Sequence, residues 1–67
     1  MSVRDRQSHY PNRYRVCFKT VAGLCSYDVY SEAEARRRAK LEGGYVLAQW
    51  YCTDEDGRSY IDSEVLR

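Results

Sequence analysis

From Tyr14 to Val21 the chain alternates, with Tyr14, Val16 and Phe18 on one side and Arg15, Cys17 and Lys19 on the other. A period of two with one apolar side predicts a half-buried β-strand. Ala22-Gly23 then supplies a tight turn, and Leu24 to Tyr30 reads as a second strand. A two-residue connection sets a register. It pairs Phe18 with Tyr27 and Val16 with Val29 on an inner face, and Lys19 with Ser26 and Cys17 with Asp28 on an outer one. Both strands then agree about which side is wet.

The period changes at Ser31. Ser31 and Glu34 form an S-x-x-E capping box, and Glu32 and Glu34 sit where the helix dipole favours negative charge. A helix is predicted from about Glu32 to Glu42, stopped by Gly43-Gly44. Ala35 and Ala39, one turn apart, let its buried side lie close on a sheet. Tyr45 to Thr53 predicts a third strand, Asp54 to Gly57 a turn, and Arg58 to about Ser63 a fourth strand. A four-residue loop faces Thr53 with Arg58, Trp50 with Ile61 and Tyr51 with Tyr60. Val46, Ala48, Trp50, Cys52 and Ile61 then share the inner face; Gln49, Tyr51, Arg58, Tyr60 and Asp62 share the outer one. A one-residue bulge would exchange the faces. The fold class is α+β: an antiparallel four-stranded sheet, β-β-α-β-β, with one helix packed on one face. It occupies residues 13–67 as a single domain. Residues 1–12, polar and ending at Pro11-Asn12, predict a flexible N-terminal arm.

Composition narrows the function classes. Eleven basic and ten acidic side chains in 67 residues leave a formal charge of +1. That is neither the basic excess of a dedicated DNA binder nor the acidity of a DNA mimic, so an electrostatic partner must be met by a local patch. No apolar run is long enough for a membrane span, and MSVRDRQSHY lacks the apolar stretch of a secretory signal. Three cysteines without a CxxC spacing argue against a disulfide framework and a zinc site, and for reduced thiols in a cytoplasmic protein.

Nothing in the chain reads as catalytic. The single histidine, His9, lies in the arm, and no cysteine has a base beside it. Asp54, Glu55 and Asp56 lack the spaced ligands of a calcium loop, and there is no phosphate loop or dinucleotide fingerprint. No metal or other cofactor is expected. Binding is better supported. Seven tyrosines offer rigid contact area with a polar tip, and Tyr30, Tyr51 and Tyr60 fall on the expected outer face beside Arg15, Lys19 and Arg58. On the helix, Arg36, Arg37 and Lys40 lie opposite Ala35 and Ala39 and offer a basic arc for a phosphate backbone. Glu32–Arg36 and Glu34–Arg38 answer part of that charge locally.

The strand YRVCFKTV, the helix SEAEARRRA and the late turn DEDGRSYID resemble small phage-encoded β-β-α-β proteins, in particular anti-CRISPR inhibitors of the type I surveillance complex. Integrase arm-binding domains also join a hairpin to a charged, alanine-rich helix, but they place three strands before it where this chain has two. The anti-CRISPR resemblance implies a non-catalytic inhibitor that occupies a host protein or ribonucleoprotein complex and blocks target DNA binding or nuclease recruitment. Asp54, Glu55 and Asp56, with Asp62 and Glu64, would then meet lysines that normally hold DNA, and Tyr30, Tyr51 and Tyr60 would anchor the interface. The alternative is a nucleic-acid-binding accessory module using Arg36, Arg37, Lys40, Arg15 and Arg58 with the sheet tyrosines. Either form is compatible with a monomer or a homodimer, and neither involves a membrane.

Overall fold

The computed structural model describes residues 6–66. They form β1 (Arg13–Thr20), β2 (Gly23–Val29), α1 (Glu32–Glu42), β3 (Tyr45–Thr53) and β4 (Ser59–Leu66). The strands make one sheet in the order β2-β1-β3-β4, antiparallel at every pairing. Helix α1 packs on one face, mainly over β1 and β3. This is the β-β-α-β-β fold that the polarity pattern predicts.

Local chemistry sets the helix ends. Ser31 is extended (φ −128°, ψ 130°), and its Oγ accepts the Glu34 N–H at 3.3 Å. Glu34 turns its carboxylate to Arg37 and Arg38 rather than back to the cap. Gly43, at φ 71°, supplies the left-handed stop. Gly44 has a different task. A Cβ on it would stand 2.0 Å from the Cys17 carbonyl oxygen, so the chain enters β3 pressed against the backbone of β1.

Ala35 and Ala39 are the buried residues of α1. Beneath them lie Tyr14, Val16, Val46, Ala48, Trp50 and Cys52, rimmed by Phe18, Tyr27, Val29, Tyr60 and Leu66. Val16 faces Val46 across the central strands and is wholly buried; burying a side chain of this size contributes about 1.5–3 kcal/mol.

Both hairpin registers differ from expectation. In the first, Val21-Ala22 forms the turn between Thr20 and Gly23, so Val16 pairs with Tyr27 and Phe18 with Cys25. The Thr20 side chain decides this. Its Oγ1 accepts the Ala22 N–H at 3.1 Å and donates to the Gly23 carbonyl at 3.0 Å. The shift is two residues, so the inner and outer sets survive. In the second, Asp54 Oδ1 accepts from the N–H groups of Asp56 and Arg58, at 2.9 and 2.8 Å. That draws Arg58 into the turn, and Trp50 pairs with Asp62, Tyr51 with Ile61 and Cys52 with Tyr60. The shift is one residue, so β4 is inverted. Tyr60, Asp62 and Glu64 share the helix side, and Ile61, Ser63 and Val65 the other.

The arm is also revised. Residues 1–5 lie outside the described residues. Arg6 to Asn12 do not hang free as expected but continue the track of β1 beside the second half of β3. Arg6 bridges to Cys52, the Gln7 N–H donates to the Tyr51 carbonyl at 3.0 Å and the Asn12 N–H to the Gln49 carbonyl at 2.8 Å. The Arg6 guanidinium stacks 3.5 Å from the centroid of the Trp50 ring and pairs with Asp62 at 2.7 Å and Glu64 at 3.2 Å. The indole N–H donates to the His9 carbonyl at 3.4 Å. Helix and arm thus divide one face of the sheet between them.

Candidate interaction surface

Among the described residues, neither helix nor arm covers the other face of the sheet. Its rows follow from the strand registers. Leu24 lies beside Lys19; then come Ser26, Cys17 and Tyr45; then Asp28, Arg15, Leu47 and Val65; then Arg13, Gln49 and Ser63; then Tyr51 and Ile61. Leu24 is 79% exposed, Tyr45 48%, and Ile61 and Val65 46% each. Edge and centre positions alike therefore leave apolar atoms in water, as a protein contact surface does. A shallow hollow of about 240 Å³ opens among Arg15, Cys17, Leu24, Ser26, Tyr45 and Leu47.

Apart from Lys19, the charged groups of this face are engaged with one another. Arg15 Nε donates to Asp28 Oδ1 at 2.9 Å, and Arg13 approaches the same carboxylate at 3.5 Å. The Arg15 hydrogen bond holds the Asp28 carboxyl below its ordinary pKa, against the opposing effect of burial and with the help of the Arg13 charge. The same partner keeps the Arg15 guanidinium above its usual value. Gln49 is nearly buried although it lies on the open face. Its Oε1 accepts from Arg13 Nε at 2.7 Å and its Nε2 donates to Ser63 Oγ at 3.1 Å. A polar ladder therefore crosses three strands and separates the Tyr45–Val65 patch from the Tyr51–Ile61 patch.

The residues expected to bind protein divide. Tyr51 is on the open face, at the hairpin end that carries the acidic turn. Tyr60 is not on that face, because the inverted β4 sets it beside Cys52 on the helix side. Tyr30 follows the last residue of β2 at the corner leading to α1, and is exposed. In the acidic turn, Asp54 is spent on closing the loop, and Glu55 and Asp56 are the exposed carboxylates.

The residues expected to bind nucleic acid are scattered over three places. Arg36, Arg37 and Lys40 ride on α1; Arg15 lies on the opposite face of the sheet; Arg58 is at the β3–β4 turn. The arginine run is largely answered from within the helix. Arg36 pairs with Glu32 at 2.8 Å, and Arg37 and Arg38 both pair with Glu34. Hydrogen bonds from Arg38 and then Arg37 hold Glu34 below the ordinary carboxylate range. Lys40, Lys19 and Arg58 have no ion-pair partner among the described residues.

Tyr45, Leu47 and Val65 went unnoticed in the sequence. β3 is apolar on both faces, so its alternation signals a central strand and conceals the open side. Cys17 and Cys52 are buried and Cys25 is exposed, all three unbridged. No group of three His, Cys, Asp or Glu side chains among the described residues is placed to hold a metal ion, and no helix there is long and apolar enough to cross a membrane. Comparison with protein-family models, known proteins and solved structures finds no match to this chain.

Proposed function

We propose that this chain is a small non-catalytic binding protein that occludes the surface of a host protein or ribonucleoprotein complex through the open face of its sheet. The resemblance to anti-CRISPR inhibitors gives the proposal its specific form, an inhibitor that blocks target DNA binding or nuclease recruitment. One observation carries it. The face left bare by α1 and the arm exposes Leu24, Tyr45, Tyr51, Ile61 and Val65, while its arginines are paired within the fold. A phosphate-binding face would need those cations available; a protein contact needs apolar anchors with a satisfied polar surround.

The test is phage survival on cells with an active type I CRISPR system. Wild-type protein should rescue a targeted phage. Tyr45→Lys with Val65→Lys, at exposed positions that leave the core intact, should abolish rescue and the recovery of a nuclease-resistant complex from lysate. Arg36→Glu with Arg37→Glu should leave both unchanged. The nucleic-acid alternative predicts the reverse, with recovery lost on nuclease treatment and dependent on the helix arginines.

A further inference from the structure

The sheet ends in two edge strands, and β4 is the longer. Its orientation follows from three hydrogen bonds. The Tyr51 and Gln49 carbonyls accept from Gln7 and Asn12, so the odd-numbered residues of β3 turn their peptide groups towards β1 and the arm. Strand alternation then turns the even-numbered ones to β4, where they face even-numbered partners. The Asp54 N–H bonded to the Arg58 carbonyl belongs to that same ladder. Ser59, Ile61, Ser63 and Val65 therefore present their N–H and C=O groups to the open edge. The strand has no proline and no lysine, two residues that commonly guard such an edge.

We infer that β4 pairs edge to edge with β4 of a second copy of this chain, antiparallel and centred on Ile61. Side-chain chemistry selects the centre. An axis at Ser63 would set Asp62 directly against Glu64 of the other copy, and like charges facing each other across strands are destabilising. An axis at Ile61 sets Ile61 against itself, Ser59 against Ser63, Tyr60 against Asp62, and Arg58 against Glu64. Arg58 has no ion-pair partner within its own chain among the described residues. Glu64, 61% exposed at its side chain, meets Arg6 through Oε2 at 3.2 Å and leaves its other oxygen for Arg58 of the second copy. The outward-facing pairs are 59 with 63, 61 with 61 and 63 with 59, about six main-chain hydrogen bonds at two per pair.

The symmetry axis of this register is perpendicular to the sheet, so the bare faces of both copies lie on one side of an eight-stranded sheet, four strands from each copy. A seam of one strand against another buries less than the roughly 1,200 Å² of a standard interface, so the dimer forms in a concentration-dependent way. The inference stands on the β4 edge alone and does not depend on which partner the open face meets.

Sedimentation equilibrium on the full chain, from micromolar to millimolar, tests it. Wild type should show a monomer–dimer equilibrium. Arg58→Glu alone and Glu64→Arg alone each put like charges at both ends of the seam and should weaken self-association about tenfold or more. Mixing the two variants restores opposite charges at both ends and should recover dimer at the wild-type level. Ser63→Pro removes an outward N–H together with the hydroxyl that accepts from Gln49 Nε2, and should give monomer that keeps the β-sheet circular dichroism spectrum. A monomer throughout the range for wild type would overturn the inference. So would a dimer indifferent to Arg58→Glu, or charge variants that weaken association without rescuing each other. If Ser63→Pro does not fold, the mixing experiment decides the matter.

Discussion

Gly43 and Gly44 are adjacent, and the structure assigns them unequal penalties for a single methyl group. A Cβ on Gly44 would lie 2.0 Å from the Cys17 carbonyl oxygen, 2.9 Å from its carbonyl carbon and 2.9 Å from Phe18 Cβ. Two of these atoms are backbone, and Cys17 pairs with Tyr45 in the β1–β3 ladder. Relief therefore requires the strands to part by about 1 Å at the entry to β3. Overpacking of this kind costs about 1–3 kcal/mol, and a ladder hydrogen bond lost with it about 1 kcal/mol more. The smaller conformational freedom of the unfolded chain returns less than about 1 kcal/mol. Gly44→Ala should thus destabilise by about 2–3 kcal/mol, from a total of roughly 3–10 kcal/mol for a chain of this length. Gly43→Ala meets nothing within 4 Å and bears only the strain of φ 71°, about 1 kcal/mol. Urea unfolding followed by circular dichroism and by Trp50 fluorescence measures both. If Gly44→Ala stays within about 0.5 kcal/mol of wild type, or costs no more than Gly43→Ala, the close approach of β3 to β1 is not there.

Acid should loosen the fold. Asp28 and Glu34 both have folded-state pKa values below their unfolded ones, so their contribution is complete above the unfolded values near pH 4 and is lost as pH falls through the folded ones. The urea midpoint should drop between roughly pH 5 and pH 2, less steeply in Asp28→Asn; a flat midpoint would contradict the Arg15–Asp28 pairing. Asp54→Ala should cost about 1–2 kcal/mol through loss of the one oxygen that accepts from two N–H groups, while Glu55→Ala should be neutral; equal effects would mean that Asp54 does not close the loop. Arg6→Ala should shift Trp50 emission to the red and speed exchange of the Gln7 and Asn12 amides while the β3–β4 amides stay protected. Unchanged exchange would mean that the arm is held by something other than Arg6.

Where the sequence was readable, the deciding chemistry was local. Ser31 and Gly43 mark the ends of α1 because a cap and a left-handed stop act within one turn of themselves. Alternation gave the faces of β1, β2 and β3, since a period of two survives a two-residue error in the turn. It failed for β4, where the Asp54 carboxylate reaches the Arg58 N–H and adds one residue to the loop, and one residue is enough to invert a strand. The placement of Arg6 was hidden for a different reason. Its partners, Trp50, Asp62 and Glu64, are 44 to 58 positions away, and no periodicity within the arm points to them. The bare apolar face was hidden because apolar residues on both sides of β3 suggest a strand covered on both sides, and only the placement of the single helix shows which side is left open.

The first hairpin shows that alternation tolerates a slip of two residues, so the apolar pattern by itself permits a small family of sheets differing by such slips. The buried amide of Gln49 distinguishes among them. Held by Arg13 on one side and Ser63 on the other, it reads the alignment of β4 on β3 directly. A two-residue slip of β4 would set Ile61 or Val65 against it and strand its buried N–H donor, at a cost of about 1–3 kcal/mol. That is enough to make the aligned sheet outnumber a slipped one by roughly five- to 150-fold. The amide acts as a vernier mark: a leucine there would preserve the burial and erase the reading, leaving a sheet as firm but no longer unique.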